Sequence, residues 1–522
     1  MKQPPFGGFM SRHLLSTAAI LAAFPLCTYA SPMPPAALPS IAFSSGIAIA
    51  ASGGAALAAS VRESAQAAKI EALEDRLRRV EQLLAASGVS NPANANSADT
   101  GESPDALDQR LRILERQHEL DQDAATAKAA STPVITLSDK GLAARSPDGA
   151  FEIKLRGTVQ ADQRTFFDDH AVQQNDTFLF RLVRPTIEGQ FGSLVAFRLT
   201  PEFAGDSATL VDAWVDLRFN PAYTLRIGKM TSPVGLERLQ SSSYLSMMER
   251  GFPSELAPNR DIGVQLQGEL ANGRVNYAIG AFNGAPDGRD TGSLDVDRHR
   301  EFEGRVFFEP WKNDANALSG LGFGIGASEG DKEGAGNNFL PRYRTPGQSQ
   351  FFTYRGTVMA DGSNSRVSPQ AYYYYNAFGL LGEYIRSSQE LLLTGKPASR
   401  IDLTNKAWQL TGSWVLTGEK ASFRGVTKPT HPYTIGGEGW GALELVGRYG
   451  VLGIDDNAFP LYADPSSSAR QAWMWGLGLN WYLTSNVKLV FNHTRTRFDG
   501  GAPTGADRED EKTFFSRVQL SF

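Results

Sequence analysis

Basic side chains are the residues of this sequence whose types and spacing point most directly to chemistry. A guanidinium offers a planar fork to the oxygens of an oxyanion, and a lysine ammonium offers a mobile point charge. Fixed cations of this kind replace part of the hydration shell of an anion that crosses a low-dielectric layer, provided that no single site holds it too tightly. The candidates for such sites are Arg184, Arg198, Lys229, Arg238, Arg250, Lys420, Arg424 and Lys428.

Each of these cations also has a simpler interpretation. Inward-facing arginines commonly pair with carboxylates on neighbouring strands, and Glu237, Glu249 and Glu419 adjoin several of the candidates in sequence. The sequence therefore leaves open, for each candidate, whether it faces a ligand or a carboxylate of the same chain.

Catalytic and metal-binding patterns find little support. The segment 326–330 matches the nucleophile-elbow pattern around Ser328, but that motif requires a strand–turn–helix unit with later acid and histidine partners. The six histidines show no metal-ligand spacing, and the alternate glycines of 320–326 precede no helix that would complete a dinucleotide loop. We therefore expect no enzyme, no metal and no cofactor, with a hydrolase built on Ser328 as the remaining catalytic hypothesis.

Length and composition exclude several classes of protein. The chain has 522 residues, of which 41% are hydrophobic and 20% charged, and its formal net charge is -5. No run of about 18 strongly apolar residues lies beyond position 60, so helices do not carry the C-terminal two-thirds across a bilayer. The net negative charge gives no general attraction to nucleic acid, and no nucleic-acid partner is expected.

The first 130 residues divide into three segments. Residues 1–30 combine early positive charge, an apolar stretch and small residues at the end, which predicts a cleaved signal peptide. Cleavage there removes Cys27, the single cysteine, as suits an oxidising bacterial envelope. Residues 31–69 are a low-complexity segment. In 70–130, apolar residues spaced three and four apart predict a periplasmic coiled-coil stalk with a linker, with a single surface helix as the alternative.

Beyond Phe151 the hydrophobic period changes to two. In 211–219 the odd positions are apolar and the even positions are polar or tryptophan, so one side of a strand suits lipid and the other water. The alternate tryptophans and leucines of 473–483 suit a lipid-facing band with aromatic girdles. The predicted fold class of residues 151–522 is all-β and transmembrane, a 16-stranded antiparallel outer-membrane β-barrel.

The strand number follows from parity. About seventeen segments of about ten residues show the two-residue period, whereas barrels of this type close with an even number of strands. We interpret 351–359 as loop, because it lies in a stretch rich in Gly, Pro, Ser and Asn. The remaining strands place tight turns at the periplasmic end and long loops outside, and a barrel of this size keeps an aqueous channel. The exception is 417–440, a long connection that parity places at the periplasmic end.

Three blocks resemble the phosphate- and polyphosphate-selective porins of Gram-negative outer membranes. They are IGKMTSPVGLERLQSSSYLSMMERG (227–251), GALELVGRYG (441–450) and GLNWYLTSNVKL (478–489). The resemblance covers nearly all of 151–522. It implies a homotrimer of sixteen-stranded barrels in which inward-folded loops and one inward-folded periplasmic turn line the pore with Arg and Lys. The connection 417–440 would be that turn.

Single positions refine this resemblance. Arg184 matches an arginine of the family's paired-arginine strand, but Val183 stands where a second adjacent arginine is expected. Ser243 stands where strongly phosphate-selective relatives carry a lysine. These departures bear on phosphate specificity rather than on preference for anions.

The predicted function is a passive outer-membrane diffusion channel that favours phosphate, polyphosphate, chloride or other small anions through a basic constriction. Its other partners would be outer-membrane lipid and lipopolysaccharide, whose phosphates the basic residues of outer loops could bind. A general or sugar/carboxylate porin is one alternative, since Trp214, Trp440 and the run Tyr372–Tyr375 could stack on a solute. A structural tether between outer membrane and cell wall, built on residues 60–130, is another.

Overall fold

The computed structural model describes residues 104–167, 175–205, 207–292, 294–295 and 297–522. The predicted signal peptide, the low-complexity segment and the first heptad stretch of the stalk lie outside the described residues. The second heptad stretch falls within helix α1 (Pro104–Ser131), and its assembly into a coiled coil stays a prediction. None of the described helices combines the length and hydropathy needed to cross a membrane.

The described chain is otherwise built almost entirely of strands. In chain order the strands are β1 (Val134–Ser138), β2 (Gly141–Arg145), β3 (Phe151–Phe167), β4 (Thr177–Phe191), β5 (Val195–Glu202), β6 (Thr209–Asn220), β7 (Tyr223–Thr231), β8 (Arg260–Leu270), β9 (Val275–Phe282), β10 (Glu301–Phe308), β11 (Leu321–Ala335), β12 (Arg342–Arg344), β13 (Gln350–Thr353), β14 (Val358–Tyr375), β15 (Phe378–Leu393), β16 (Lys396–Val415), β17 (Ala442–Gly453), β18 (Ala469–Tyr482), β19 (Val487–Gly500) and β20 (Glu511–Ser521). Two helical turns, α2 (Leu236–Leu239) and α3 (Pro253–Leu256), and three short 3-10 turns, Ala317–Gly320, Asp456–Ala458 and Pro503–Gly505, complete the elements.

Sixteen of these strands, β3–β11 and β14–β20, form a closed antiparallel barrel. Each pairs with its neighbour in chain order, and β20 pairs with β3, where Ser521 lies opposite Thr158. The backbones of Gly157 and Phe522 complete the closure by exchanging hydrogen bonds of 2.9 and 3.0 Å. Closure gives each of the sixteen described strands two neighbours, as a hydrocarbon environment requires. The predicted fold class is confirmed for the barrel.

The two faces of the strands differ as the two-residue period predicts. On β6, Val215 and Phe219 are 43% and 63% exposed on the outer surface, whereas Asp212 and Asp216 are buried inside. On β18, Trp475 and Leu477 are exposed and Asn480 is buried. The alternation arises because hydrocarbon contacts one side of the wall and polar groups the other.

The connections differ between the two ends of the barrel. The end at which β3 begins and β20 finishes, which is periplasmic in bacterial barrels of this type, has turns as short as residues 376–377. The other, outer end carries long connections such as 232–259 and 336–357, although residues 394–395 make a tight turn there. Most of the segment 351–359 lies outside the barrel wall, since β13 pairs only with β12, but its last two residues, Val358 and Met359, begin β14.

Outer connections fold back into the barrel and fill the side lined by β14–β19. Tyr343, Phe351 and Phe352 are fully buried in this cluster, together with Phe252 and Leu256. Each such side chain stabilises the packing by about 1.5–3 kcal/mol. The remaining open space is therefore displaced to the opposite wall, along β4–β10.

Candidate functional site

The connection 232–259 between β7 and β8 runs through the barrel interior and bounds the open space on one side. Its first helical turn is held by Glu383 on β15, which accepts hydrogen bonds from the backbone N–H groups of Leu236 (2.8 Å) and Glu237 (3.1 Å). Further along, Met248 N–H donates to Asn492 on β19 (2.6 Å). We call residues 232–259 the constriction loop, because they cross the interior between the filled side and the open wall.

Glu237 is the main buried anchor of the constriction loop. Its carboxylate pairs with Arg448 on β17 and accepts hydrogen bonds from Gln409 (2.9 Å) and from the backbone N–H of Gly251 (2.8 Å). Burial alone would raise the pKa of Glu237, but Arg448 and these donors hold it below its ordinary value. The charge of this glutamate is thus satisfied within the chain and does not reach the open space.

The outer face of the constriction loop borders a cavity of about 430 Å³, which we call the outer cavity. Its lining contains three carboxylates, those of Glu249, Glu255 and Asp290. It also contains six arginines, Arg181, Arg238, Arg250, Arg289, Arg342 and Arg344. Positive charge therefore exceeds negative charge in this cavity, although the whole chain is acidic.

Arg238 and Arg250 bring two of these charges to the outer cavity from the loop itself. Arg238 donates to the backbone carbonyls of Ser254 (2.9 Å) and Gly288 (3.1 Å), and no described carboxylate forms an ion pair with it. Arg250 likewise donates to carbonyl groups of the loop. Its loss of hydration, followed by the nearby charges of Arg238 and Arg260, lowers the pKa of Arg250 to about 9. Burial is thus the main cause of the lowered pKa, and the neighbouring guanidinium groups add to it.

Arg181 is a cation of the outer cavity that the sequence analysis missed. A β-bulge in β4 leaves Arg181 without a partner in the ladder to β3 and interrupts the alternation of the strand. Its guanidinium turns into the barrel and holds Glu249 with two hydrogen bonds of 2.7 and 3.0 Å. Arg184 also faces inward, as predicted, but it pairs with Glu202 at 2.5 Å. No simple periodicity would have revealed the bulge.

Lys229 does not line the interior, and its predicted position is corrected. It alternates on β7 with Met230, which is buried inside, and shares the outward side with Ile227, which is 45% exposed on the outer surface. Its ammonium lies 3.5 Å from the carbonyl oxygen of Thr291 in the next outer connection. Proximity to the constriction loop in sequence does not decide whether Lys229 faces the pore, because only alternate residues of a strand do so.

On the periplasmic side of the constriction loop lies a larger cavity of about 890 Å³, which we call the inner chamber. Arg198 lines it, as predicted, and pairs with Glu188 (2.8 Å). Three further arginines, which the sequence analysis did not select, line the same chamber. Arg226 is held by Asp216, Arg218 lies 3.9 Å from the same carboxylate, and Arg305 points inward from β10. Strand parity alone would have found all three.

The connection 416–441 is folded against the constriction loop from the periplasmic end. The ring of Phe423 stacks on Tyr372 with centroids 5.3 Å apart, and its carbonyl oxygen accepts a hydrogen bond from Gln240. Three cations of this connection that the sequence selected are exposed and make no ion pair with any described residue. They are Lys420, Arg424 and Lys428. Of the eight predicted residues, six therefore fall into an outer, an inner and a periplasmic group, whereas Arg184 and Lys229 line neither cavity.

The aromatic residues suggested as a sliding surface are dispersed. Trp214 lies in the inner chamber with the guanidinium of Arg226 3.7 Å from its ring centroid. Trp440 is exposed in the periplasmic connection. The four tyrosines of 372–375 split between the two faces of β14, since Tyr373 and Tyr375 stack on each other and Tyr372 packs inside. They form no continuous track.

The surroundings of Ser328 differ from those of a catalytic nucleophile. Its hydroxyl is buried within β11 and accepts a hydrogen bond from Arg366 (3.2 Å), and no described histidine contacts it. In the described part of the chain, no three His, Cys, Asp or Glu residues are grouped as a metal ion would require.

Comparison with known proteins adds a family. The family model described as "Phosphate-selective porin O and P" matches residues 153–522. Porin O of Pseudomonas aeruginosa is 23% identical over 427 residues, which cover 76% of this chain and 95% of that protein. An uncharacterized protein of Caulobacter vibrioides is 24% identical over 362 residues, covering 66% of this chain and 68% of the relative.

Solved structures also show some similarity. The outer membrane channel DcaP of Acinetobacter baumannii has a TM-score of 0.46 and 12% identity, covering 74% of this chain and 99% of that one. OmpT of Vibrio cholerae, solved in a trimer form, has a TM-score of 0.43 and 12% identity, covering 72% of this chain and 100% of that one.

Proposed function

The chain belongs to the phosphate-selective porin O and P family and lies in a Gram-negative outer membrane as a porin, and on that premise we propose that it favours phosphate, polyphosphate and other small anions such as chloride. The observation that carries the proposal is the excess of arginine over carboxylate in the outer cavity. Arg238 and Arg250 contribute most, because their guanidinium groups bind only carbonyl oxygens and keep their full charge.

Selectivity would arise by partial replacement of the hydration shell. An anion that enters the outer cavity meets several guanidinium groups, of which Arg181 is partly neutralised by Glu249. Past the constriction loop it meets Arg198, which Glu188 neutralises in part. Partial neutralisation keeps each site weak enough for release, as conduction requires. The exposed Lys420, Arg424 and Lys428 would extend the positive potential to the periplasmic mouth.

The decisive experiment is the reversal potential of the full-length protein in a planar bilayer with a KCl gradient. We expect chloride selectivity, together with a concentration-dependent block of chloride current by added phosphate. Arg344→Gln removes a charge of the outer cavity without removing an anchor of the constriction loop, and should weaken phosphate block several-fold, since hydrogen bonds to charged groups contribute about 1.5–3 kcal/mol. Arg250→Gln should weaken it further.

The matched control for these variants is Arg274→Gln. Arg274 lies at the periplasmic end, paired with Asp314 at 2.8 Å, and lines neither cavity. The Arg274→Gln substitution should leave phosphate block of the chloride current unchanged. Cation selectivity of the wild type would refute the proposal.

A general porin without phosphate specificity remains the second candidate, and the ion pairs of the inner wall favour it. Arg184, Arg198 and Arg226 all face carboxylates, which reduces the net field along the pore. This candidate predicts anion preference with no phosphate block. We further propose that the protein is a homotrimer whose copies are joined by the 70–130 stalk, which native mass spectrometry in detergent tests directly.

A further inference from the structure

The inner chamber differs from the outer cavity in chemistry as well as in size. Its volume of about 890 Å³ suits a small organic molecule, whereas a hydrated inorganic anion fills only a fraction of it. Its wall mixes four arginines and two carboxylates, those of Asp212 and Glu269, with apolar and aromatic side chains. Such a lining binds a solute that has both a charged head and an apolar body.

Arg305 supplies a charge that the chain leaves uncompensated. Its Nε donates to the amide oxygen of Gln370 (3.0 Å), and its guanidinium lies 4.3 Å from the ring centroid of Phe307. No described carboxylate lies within ion-pair distance of it. By contrast, Arg226 binds Asp216 with two hydrogen bonds, Arg198 binds Glu188, and Arg218 lies within ion-pair distance of Asp216 at 3.9 Å. Arg305 is therefore the cation of this chamber that is free to bind the head group of a guest anion.

Leu239 supplies an apolar surface from the constriction loop. It ends helical turn α2 of the constriction loop, and its side chain is 37% exposed although its neighbours Leu236 and Arg238 are buried. It lines the chamber together with Trp214 and Tyr277 from the barrel wall. A leucine exposed in the pore gains free energy only by contact with an apolar solute.

We propose that the inner chamber is a subsite for organic anions with a compact apolar body, of the aromatic carboxylate class. The carboxylate binds Arg305, and the ring lies against Leu239 and the rim of Trp214. Neutral hydrogen-bonding groups of the wall, such as Gln267, tolerate polar substituents on the ring. This inference rests on the proposed anion channel and names a substrate class for its periplasmic half.

The test measures block of chloride current in single channels of the full-length protein by benzoate, acetate and inorganic phosphate. Benzoate and acetate share the carboxylate and differ in the apolar body. We expect half-block by benzoate at a concentration about tenfold lower than by acetate, as burial of part of a ring gives. Arg305→Gln should raise the benzoate concentration needed for half-block about tenfold. Arg305→Lys keeps the charge and should raise that concentration less.

Two further variants separate the apolar contribution from the charge. Leu239→Ser should narrow the difference between the half-block concentrations of benzoate and acetate. Because Leu239 is partly exposed, the substitution should not destabilise the fold. Arg274→Gln, outside the chamber, should change nothing. In all of these variants the phosphate concentration for half-block should stay within about twofold of the wild-type value, because phosphate binds in the outer cavity.

The outcomes distinguish this inference from the proposed function. Equal block by benzoate and acetate, or equal effects of Arg305→Gln and Arg274→Gln, would overturn the subsite while phosphate block persists. A cation-selective wild-type channel would overturn the proposed function and the subsite with it.

Discussion

Replacement of Glu249 by glutamine should strengthen anion binding in the outer cavity. Glu249 accepts hydrogen bonds from Arg181 (2.7 Å) and Arg164 (2.8 Å), and Arg517 lies 3.6 Å away. One carboxylate thus neutralises part of three guanidinium groups beside the constriction loop. The substitution retains the shape of the side chain and removes its charge. Arg181, which lines the outer cavity, then becomes available to a passing oxyanion, whereas Arg164 and Arg517 keep Asp162 as a partner.

The magnitude follows from the pKa of the carboxyl group. Burial opposes its ionisation, but Arg181, and then Arg517 and Arg164, lower the pKa of Glu249 from 4.5 to about 2. That difference corresponds to about 3 kcal/mol of interaction in the ionised state. Because the folded pKa is depressed, this stabilisation is present above pH 4.5 and is lost as the pH falls toward 2. Glu249→Gln loses it at every pH.

The assay is phosphate block of chloride current in planar bilayers near neutral pH. We expect half-block by phosphate at a concentration about tenfold lower in Glu249→Gln, since only part of the released interaction reaches the ligand. Asp314→Asn, which removes the partner of Arg274 at the periplasmic end, is the matched control and should have no effect. Unchanged or weaker block in Glu249→Gln would show that these arginines do not face the anion.

Three other predictions test the loop, the wall and the stalk. Arg448→Gln leaves the buried carboxylate of Glu237 without its cation, at a cost of about 3–5 kcal/mol in stability of the constriction loop, so single-channel records should show more frequent conductance fluctuations. Adding Glu237→Gln should return the fluctuations to the wild-type frequency. A wild-type frequency in Arg448→Gln alone would contradict the anchoring role of Glu237. Lys229→Gln should leave the reversal potential unchanged because the side chain lies on the outer face. A shift in the reversal potential would show that Lys229 faces the pore. Deletion of residues 60–130 should leave single-channel conductance intact, since the described residues 110–130 line neither cavity. Cross-linking of whole cells then reports whether copies still associate.

The sequence predicted the barrel well because the lipid boundary acts on each residue locally. The exposed Val215 and buried Asp216 differ as a two-residue period requires. Parity gave the correct number of strands and placed 417–440 at the periplasmic end, and of the segment assigned to a loop only residues 358–359 lie in the wall. The same rule placed Arg184 and Arg198 inside. It was not applied to Arg305 on β10, whose inward position it would have predicted.

Predictions from proximity in sequence succeeded less often. Lys229 adjoins the constriction loop but faces outward, and Arg181 faces inward only because a bulge interrupts the alternation of β4. Whether a cation keeps its charge for a ligand was also beyond the sequence. Arg198 is paired with a carboxylate, while Arg238 binds only carbonyl groups.

The sequence by itself determined the architecture of the wall: which segments cross the membrane, which side chains face lipid and at which end each connection lies. These properties follow from a periodicity that solvent imposes on neighbouring residues. Only the tertiary structure decided where the open space runs and which charges line it. Those features depend on contacts between distant residues, such as Glu237 with Arg448 or Gln240 with Phe423, and no local pattern encodes the partners that a folded loop will meet.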